Sequence, residues 1–194
     1  MIKLRLAGAL AAALLISACA SISAAPAGPY KVGDAMSVTL GRQWNDASRA
    51  QVGAPRRVRL LTIDGPLLNR LYFTTGLRPG DFLVKPERRE TPTPTYRTNM
   101  APTELVEFVA DSVAALKYQR VETSALRPTR VGDTDGLRFD ITAQTEEGLD
   151  MSGSAAVAER GGQLYVILYL APTEHYYAAG KGEVESIMGS ARFN

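Results

Sequence analysis

Apolar and polar positions alternate along most of this chain, and in two stretches the spacing changes to that of a helix. Met36, Val38 and Leu40 alternate with Ser37 and Thr39, the period of a half-buried strand, which Gly41 closes. Two apolar stretches, 57–64 and 67–77, flank the turn-forming pair Gly65-Pro66 and predict a hairpin. A short strand over 81–85 is expected after Pro79-Gly80, and the aperiodic, proline-containing segment 86–97 is expected to be an exposed loop. From Pro102 to Leu116 the apolar residues Leu105, Phe108, Val109, Val113 and Leu116 recur at helical spacing. Pro102 suits the first helical position, and Glu104 and Glu107 fall where the helix dipole favours acids. Four strands should follow near 118–130, 135–145, 149–159 and 163–171, with turns at Gly132-Asp133, Glu147-Gly148 and Gly161-Gly162. The last of these, LYVILYLA, is apolar on both faces, so it belongs at the centre of a sheet covered on both sides. Residues 174–190 have helical tendency, interrupted by Gly180 and Gly182, with Val184, Ile187 and Met188 on one face.

Strands, a helix, a meander of strands and a closing helix imply an α+β protein. The expected packing is an α/β/α sandwich around a mostly antiparallel sheet.

The first 18 residues differ from the rest. A basic start with Lys3 and Arg5 leads into an apolar run from Leu6 to Ile16. At ~1.5 Å per residue this run covers about half of a ~30 Å hydrocarbon core, the length of a secretory h-region. Ile16-Ser17-Ala18-Cys19 follows directly and resembles the lipobox of bacterial lipoproteins. That resemblance implies cleavage before Cys19, diacylglycerol on its sulfur, and an acyl chain on the new amine. Two or three chains make a stable anchor. Ala20 after the cysteine, in lipoproteins similar to this one, goes with transport to the outer membrane. Ordinary cleavage near Ala24-Ala25, or a weak membrane-spanning helix over Leu6 to Ala25, are the other readings of the same residues. The chain thus divides into a leader (1–18), a lipidated cysteine with a flexible tether (19–32) and one globular domain (33–194), whose folded part begins near Tyr30.

Charge and chemistry narrow the function. Net charge is +2, but two of the 22 basic residues, Lys3 and Arg5, sit in an acid-free leader, so the rest is balanced at 20 acids and as many bases. A nucleic-acid binder needs a basic excess, and none remains. The single cysteine excludes an internal disulfide, and one cysteine with one histidine makes no zinc set. His175 is the sole candidate general base; with Tyr176 and Tyr177 it forms the one speculative binding cluster, but a capping or packing role at a helix start explains it better. Ser152-Gly153-Ser154 lies inside a strand rather than at a nucleophile elbow. Asp133, Asp135 and Gly136 lack the remaining ligands of a calcium loop and suit a hairpin turn. Trp44, Tyr72, Phe73, Tyr165 and Tyr169 are expected in the core. No phosphate-binding glycine loop is present, and no cofactor is expected.

The order of elements resembles the PsbP-like fold, shared by photosystem II lumenal proteins and the Ran-binding Mog family. Leu40, Gly41 and Trp44 of LGRQW, the MAPTELVEFVADSVAAL helix, and the LYVILYL strand followed by EHYY and a helix ending SARF carry the likeness, over residues 33–194. It implies a noncatalytic binding or assembly module and transfers no site residue. The expectation is therefore an envelope lipoprotein held to a membrane by acyl chains on Cys19, at the outer membrane facing the periplasm. It would bind another envelope protein and no nucleic acid. The alternative is a carrier of a hydrophobic or small ligand between sheet and helix.

Overall fold

The computed structural model describes residues 22–50, 55–85 and 93–194. The leader, Cys19 and residues 86–92 of the proline-containing loop lie outside them. In chain order the elements are β1 (Ser23–Ala25), β2 (Gly28–Val32), β3 (Met36–Leu40), β4 (Trp44–Asp46), β5 (Val58–Thr62) and β6 (Arg70–Thr74), then α1 (Pro102–Ala114). Next come β7 (Gln119–Val131), β8 (Thr134–Gln144), β9 (Asp150–Arg160), β10 (Gln163–Pro172), a distorted turn at Thr173–Tyr177, α2 (Ala178–Gly189) and β11 (Arg192–Phe193).

Eight strands form one antiparallel sheet in the order β1-β4-β5-β6-β10-β9-β8-β7. A small sheet, β11-β3-β2, stands apart from it. β10 is central, as its two-sided apolarity requires. Leu164, Val166, Leu168 and Leu170 point to one face, and Tyr165, Ile167, Tyr169 and Ala171 to the other; all are buried. α1 covers the first face with Leu105, Val106, Phe108, Val109 and Val113. The second face is covered by Val184, Ile187 and Met188 of α2 together with Val32, Met36, Val38 and Leu40 of the small sheet. Each such side chain contributes roughly 1.5–3 kcal/mol when withdrawn from water. The architecture is the expected α/β/α sandwich with a second sheet added to one outer layer.

At the edge of β6 the ladder is completed by a side chain. Thr74 Oγ1 accepts from the Val166 amide at 2.8 Å and donates to the Leu164 carbonyl at 3.0 Å. Leu77 then resumes pairing with Leu164. α1 begins as its sequence suggests, with Pro102 in its first turn and Glu104 accepting from the Ala101 amide at 2.7 Å.

Four expectations are corrected. Residues 23–25 and 28–32 are strands rather than flexible tether; β1 pairs Ala25 with Trp44 and buries it, so the domain starts well before residue 33. Residues 81–85 are not a strand: Asp81 is drawn back by the Arg78 amide and by Tyr96, although Leu83 still reaches the core. In the loop segment 93–97, Tyr96 is fully buried rather than exposed. The closing helix begins at Ala178, not Glu174, and runs through Gly180 and Gly182 without a break.

Candidate functional site

The sheet has two unlike ends. At one end, β4 leads into Ala47 and β6 into Leu77, and the β7–β8 and β9–β10 turns lie there too. Ser23 pairs with Asp46 and Ala25 with Trp44, so the chain before Ser23 arrives at this end. The opposite end gathers residues 41–43, the β5–β6 turn (63–69), the α1–β7 connection (115–118), the β8–β9 turn (145–149) and the turn at Thr173–Tyr177.

His175 lies in that last turn. Its backbone, at φ 66° and ψ −65°, is left-handed and strained for a non-glycine residue. Two tyrosine hydroxyls hold the turn against the sheet: Tyr169 donates to the Tyr176 carbonyl at 3.2 Å and Tyr177 to the Gly153 carbonyl at 3.4 Å. Tyr177 stacks on Tyr169 with ring centres 5.8 Å apart. These ties explain why the helix starts late. The exposed His175 ring meets the edge of Tyr176 at 5.1 Å.

A shallow cleft of about 210 Å³ opens beside the turn, lined by His175, Tyr176, Arg42, Asp64, Asn69 and Tyr169 among others. Of the speculative cluster, His175 and Tyr176 face this cleft, whereas Tyr177 is turned onto the sheet. The Asn69 amide is committed to structure. Its oxygen accepts from Thr62 Oγ1 at 2.9 Å and the Ile63 amide at 2.7 Å, and its nitrogen donates to Asp64 at 2.6 Å. Burial, with Asp64 and Tyr177 nearby, pushes Tyr169 up to about 12 against the opposing pull of Arg42. Ser152 bonds Thr173 at 2.9 Å rather than the histidine, and Ser154 is buried in β9. Asp133 and Asp135 pair with Arg160 and Arg130 at the β7–β8 turn. Trp44, Tyr72, Phe73, Tyr165 and Tyr169 are all buried. Among the described residues no group of three metal-ligating side chains occurs, and no helix is long and apolar enough to cross a membrane.

A second surface at the same end was not anticipated. A groove of about 350 Å³ is lined by Leu67, Leu116, Tyr118, Leu149, Met151 and a rim of Arg70, Lys117, Glu146 and Glu147. Leu67 is 82% exposed and Leu149 49%. The apolar pattern places both residues in strands. The amides of Leu68 and Asn69 instead turn back on the Gly65 carbonyl, and β9 begins one residue later than expected, leaving both leucines in turns. The signal in the sequence was a leucine immediately following a glycine-containing turn pair at each position.

The solved structure of the cyanobacterial PsbP protein CyanoP from Synechocystis sp. PCC 6803 matches 90% of this chain and 94% of its own length, at a TM-score of 0.58 and 12% identity. The fold is PsbP-like. LpqN of Mycobacterium tuberculosis, described as involved in cell envelope biogenesis, covers 89% of this chain and 91% of its own at a TM-score of 0.42 and 9% identity. No protein-family model and no curated protein matches the sequence.

Proposed function

We propose that this protein is a bacterial envelope lipoprotein, anchored through acyl chains on Cys19 at the outer membrane and facing the periplasm, whose domain is a noncatalytic module that docks an envelope protein. The observation that carries the reading is the difference between the two sheet ends. The N-terminal strand arrives at one, and the exposed Leu67 and Leu149 lie at the other. An apolar centre with a rim of mixed charge is the anatomy of a protein interface. Anchoring at Cys19 also suits β1. Cleavage before that cysteine leaves the strand whole, whereas cleavage near Ala24-Ala25 would cut it.

A noncatalytic role accords with a histidine that touches Tyr176 and with serines engaged elsewhere. The balanced charge beyond the leader argues against nucleic acid. A carrier would need space between sheet and helix, and there Phe108, Val109 and Val113 of α1 are buried in one apolar cluster with Phe139, Val157 and Leu168.

A photo-crosslinking residue placed at Leu67 in growing cells tests the docking surface. The expected result is one envelope protein captured at Leu67, absent when the crosslinker stands at Ala50 on the other end, and lost when Leu149→Asp is added. Capture that is the same at both ends, or indifferent to Leu149→Asp, rejects the reading.

A further inference from the structure

We infer that the end of the sheet at which the N-terminal strand arrives rests on acidic phospholipid headgroups through Arg49, Arg56 and Arg78, which sets the distal groove pointing away from the bilayer. The inference rests on the anchored reading above and adds an orientation and a lipid class to it. Three observations carry it.

The first is reach. Only three peptide units separate Cys19 from Ile22, the first residue placed beside the sheet, so an acylated Cys19 lies within about 11 Å of the domain. A body so closely tethered turns the end nearest its anchor towards the lipid.

The second is position. Ile22 precedes Ser23, which pairs with Asp46, so it lies level with Ala47 at the start of the connection that carries Arg49. Arg56 and Arg57 end the same connection, just before Val58 of β5, and Arg78 follows β6 after the Arg57 carbonyl has accepted from the Thr75 amide at 2.8 Å. The three arginines are therefore on neighbouring chain segments at one end.

The third is charge. Arg49, Arg56 and Arg78 are exposed. The acid that lines the cleft beside them, Asp81, is held by Arg57 Nε at 3.1 Å and by the Arg78 amide at 2.8 Å, so Arg57 neutralises it and the other guanidinium groups are left to face outward. Exposed arginines act on an anionic surface only within a Debye length, ~8 Å at physiological salt, a separation that the short link permits.

The test uses the full acylated protein, extracted from membranes and reconstituted on vesicles. Cys19 is the sole native cysteine and its sulfur carries lipid, so one introduced cysteine labels cleanly. A fluorophore is placed at Ala50→Cys beside Arg49, or at Leu67→Cys on the distal end, and quenched with acrylamide, which is neutral. On vesicles containing phosphatidylglycerol, the label at position 50 should lose most of its quenching relative to phosphatidylcholine vesicles. That protection should vanish at about 1 M salt, where the Debye length falls to ~3 Å. It should also vanish in Arg49→Glu/Arg56→Glu/Arg78→Glu protein that melts at the unaltered temperature, while the label at position 67 stays quenched throughout. Equal quenching at position 50 on both vesicle types overturns the inference and leaves the anchor standing. Protection at position 67 overturns it by reversing the orientation. Protein that fails to float with either vesicle overturns the anchor and the inference together.

Discussion

Gly180 and Gly182 lie two residues apart in α2, yet alanine should act oppositely at the two sites. A Cβ on Gly182 would meet nothing within 4 Å, and the position is exposed. Gly182→Ala should therefore show the helix-propensity gain alone, up to ~1 kcal/mol of added stability. A Cβ on Gly180 would stand 2.1 Å from the Tyr169 hydroxyl oxygen and 2.8 Å from Cζ of the same ring. Relief requires a shift of about 1 Å in a ring that is 1% exposed, stacked on Tyr177 and hydrogen-bonded to the Tyr176 carbonyl. Overpacking of this kind costs about 1–3 kcal/mol, which exceeds the propensity gain, so Gly180→Ala should destabilise by about 1–2 kcal/mol. Tyr169→Phe removes the closer of the two atoms, so adding it to Gly180→Ala should recover part of the loss, with a coupling of about 1 kcal/mol. Urea unfolding followed through Trp44, the one tryptophan and fully buried, reads each variant. If Gly180→Ala stabilises as much as Gly182→Ala, the packing of α2 on Tyr169 described above is wrong.

Further consequences follow from the core, from titration and from the distal surface. Phe108 is 2% exposed between α1 and the sheet, so Phe108→Ala should cost about 3–5 kcal/mol in urea unfolding; a loss below ~1 kcal/mol would contradict the filled layer. Tyr169 keeps its proton in the fold up to about 12 against 10.0 for an ordinary tyrosine. The unfolded chain ionises first, so the stability due to this burial is fully present below pH 10 and is lost as pH rises through 12, by about 3 kcal/mol in all. Burial raises Tyr30 and Tyr96 in the same direction, which adds to the fall. A urea midpoint, read by circular dichroism, that stays flat over this window would refute the assignment. Leu67→Asp, at a residue 82% exposed, should change stability by no more than ~0.5 kcal/mol while abolishing capture of the partner; a large drop in melting temperature would show that Leu67 supports the fold instead.

The sequence was most legible where an element ran long. β7 to β10 and α1, each ten residues or more in length, fall within a residue or two of their expected bounds, and the turns at Gly132-Asp133, Glu147-Gly148 and Gly161-Gly162 mark the boundaries between the four strands. β10 declared its central place because a strand apolar on both faces can be buried only between two layers. Short segments misled. Ser23–Ala25 is too brief and too small-sided to show a period, and it becomes a strand only because β4 supplies a partner. DFLVK at 81–85 has strand composition, yet Leu83 reaches the core from irregular backbone that neighbouring residues hold in place. The bend at His175 was hidden because it is imposed by two tyrosine hydroxyls that meet it only in the folded chain. The apolar pattern places Leu67 and Leu149 in strands, but their exposure depends on where a turn ends, a matter of one to three residues that such a pattern does not resolve.

The attachment at Cys19 is tested most directly by mass spectrometry of the N-terminal peptide from protein extracted out of membranes. The account predicts a chain that begins at Cys19 and carries the mass of diacylglycerol on sulfur, with or without a further acyl chain on the amine. An unmodified N-terminus at Ala25 or Pro26 would contradict it.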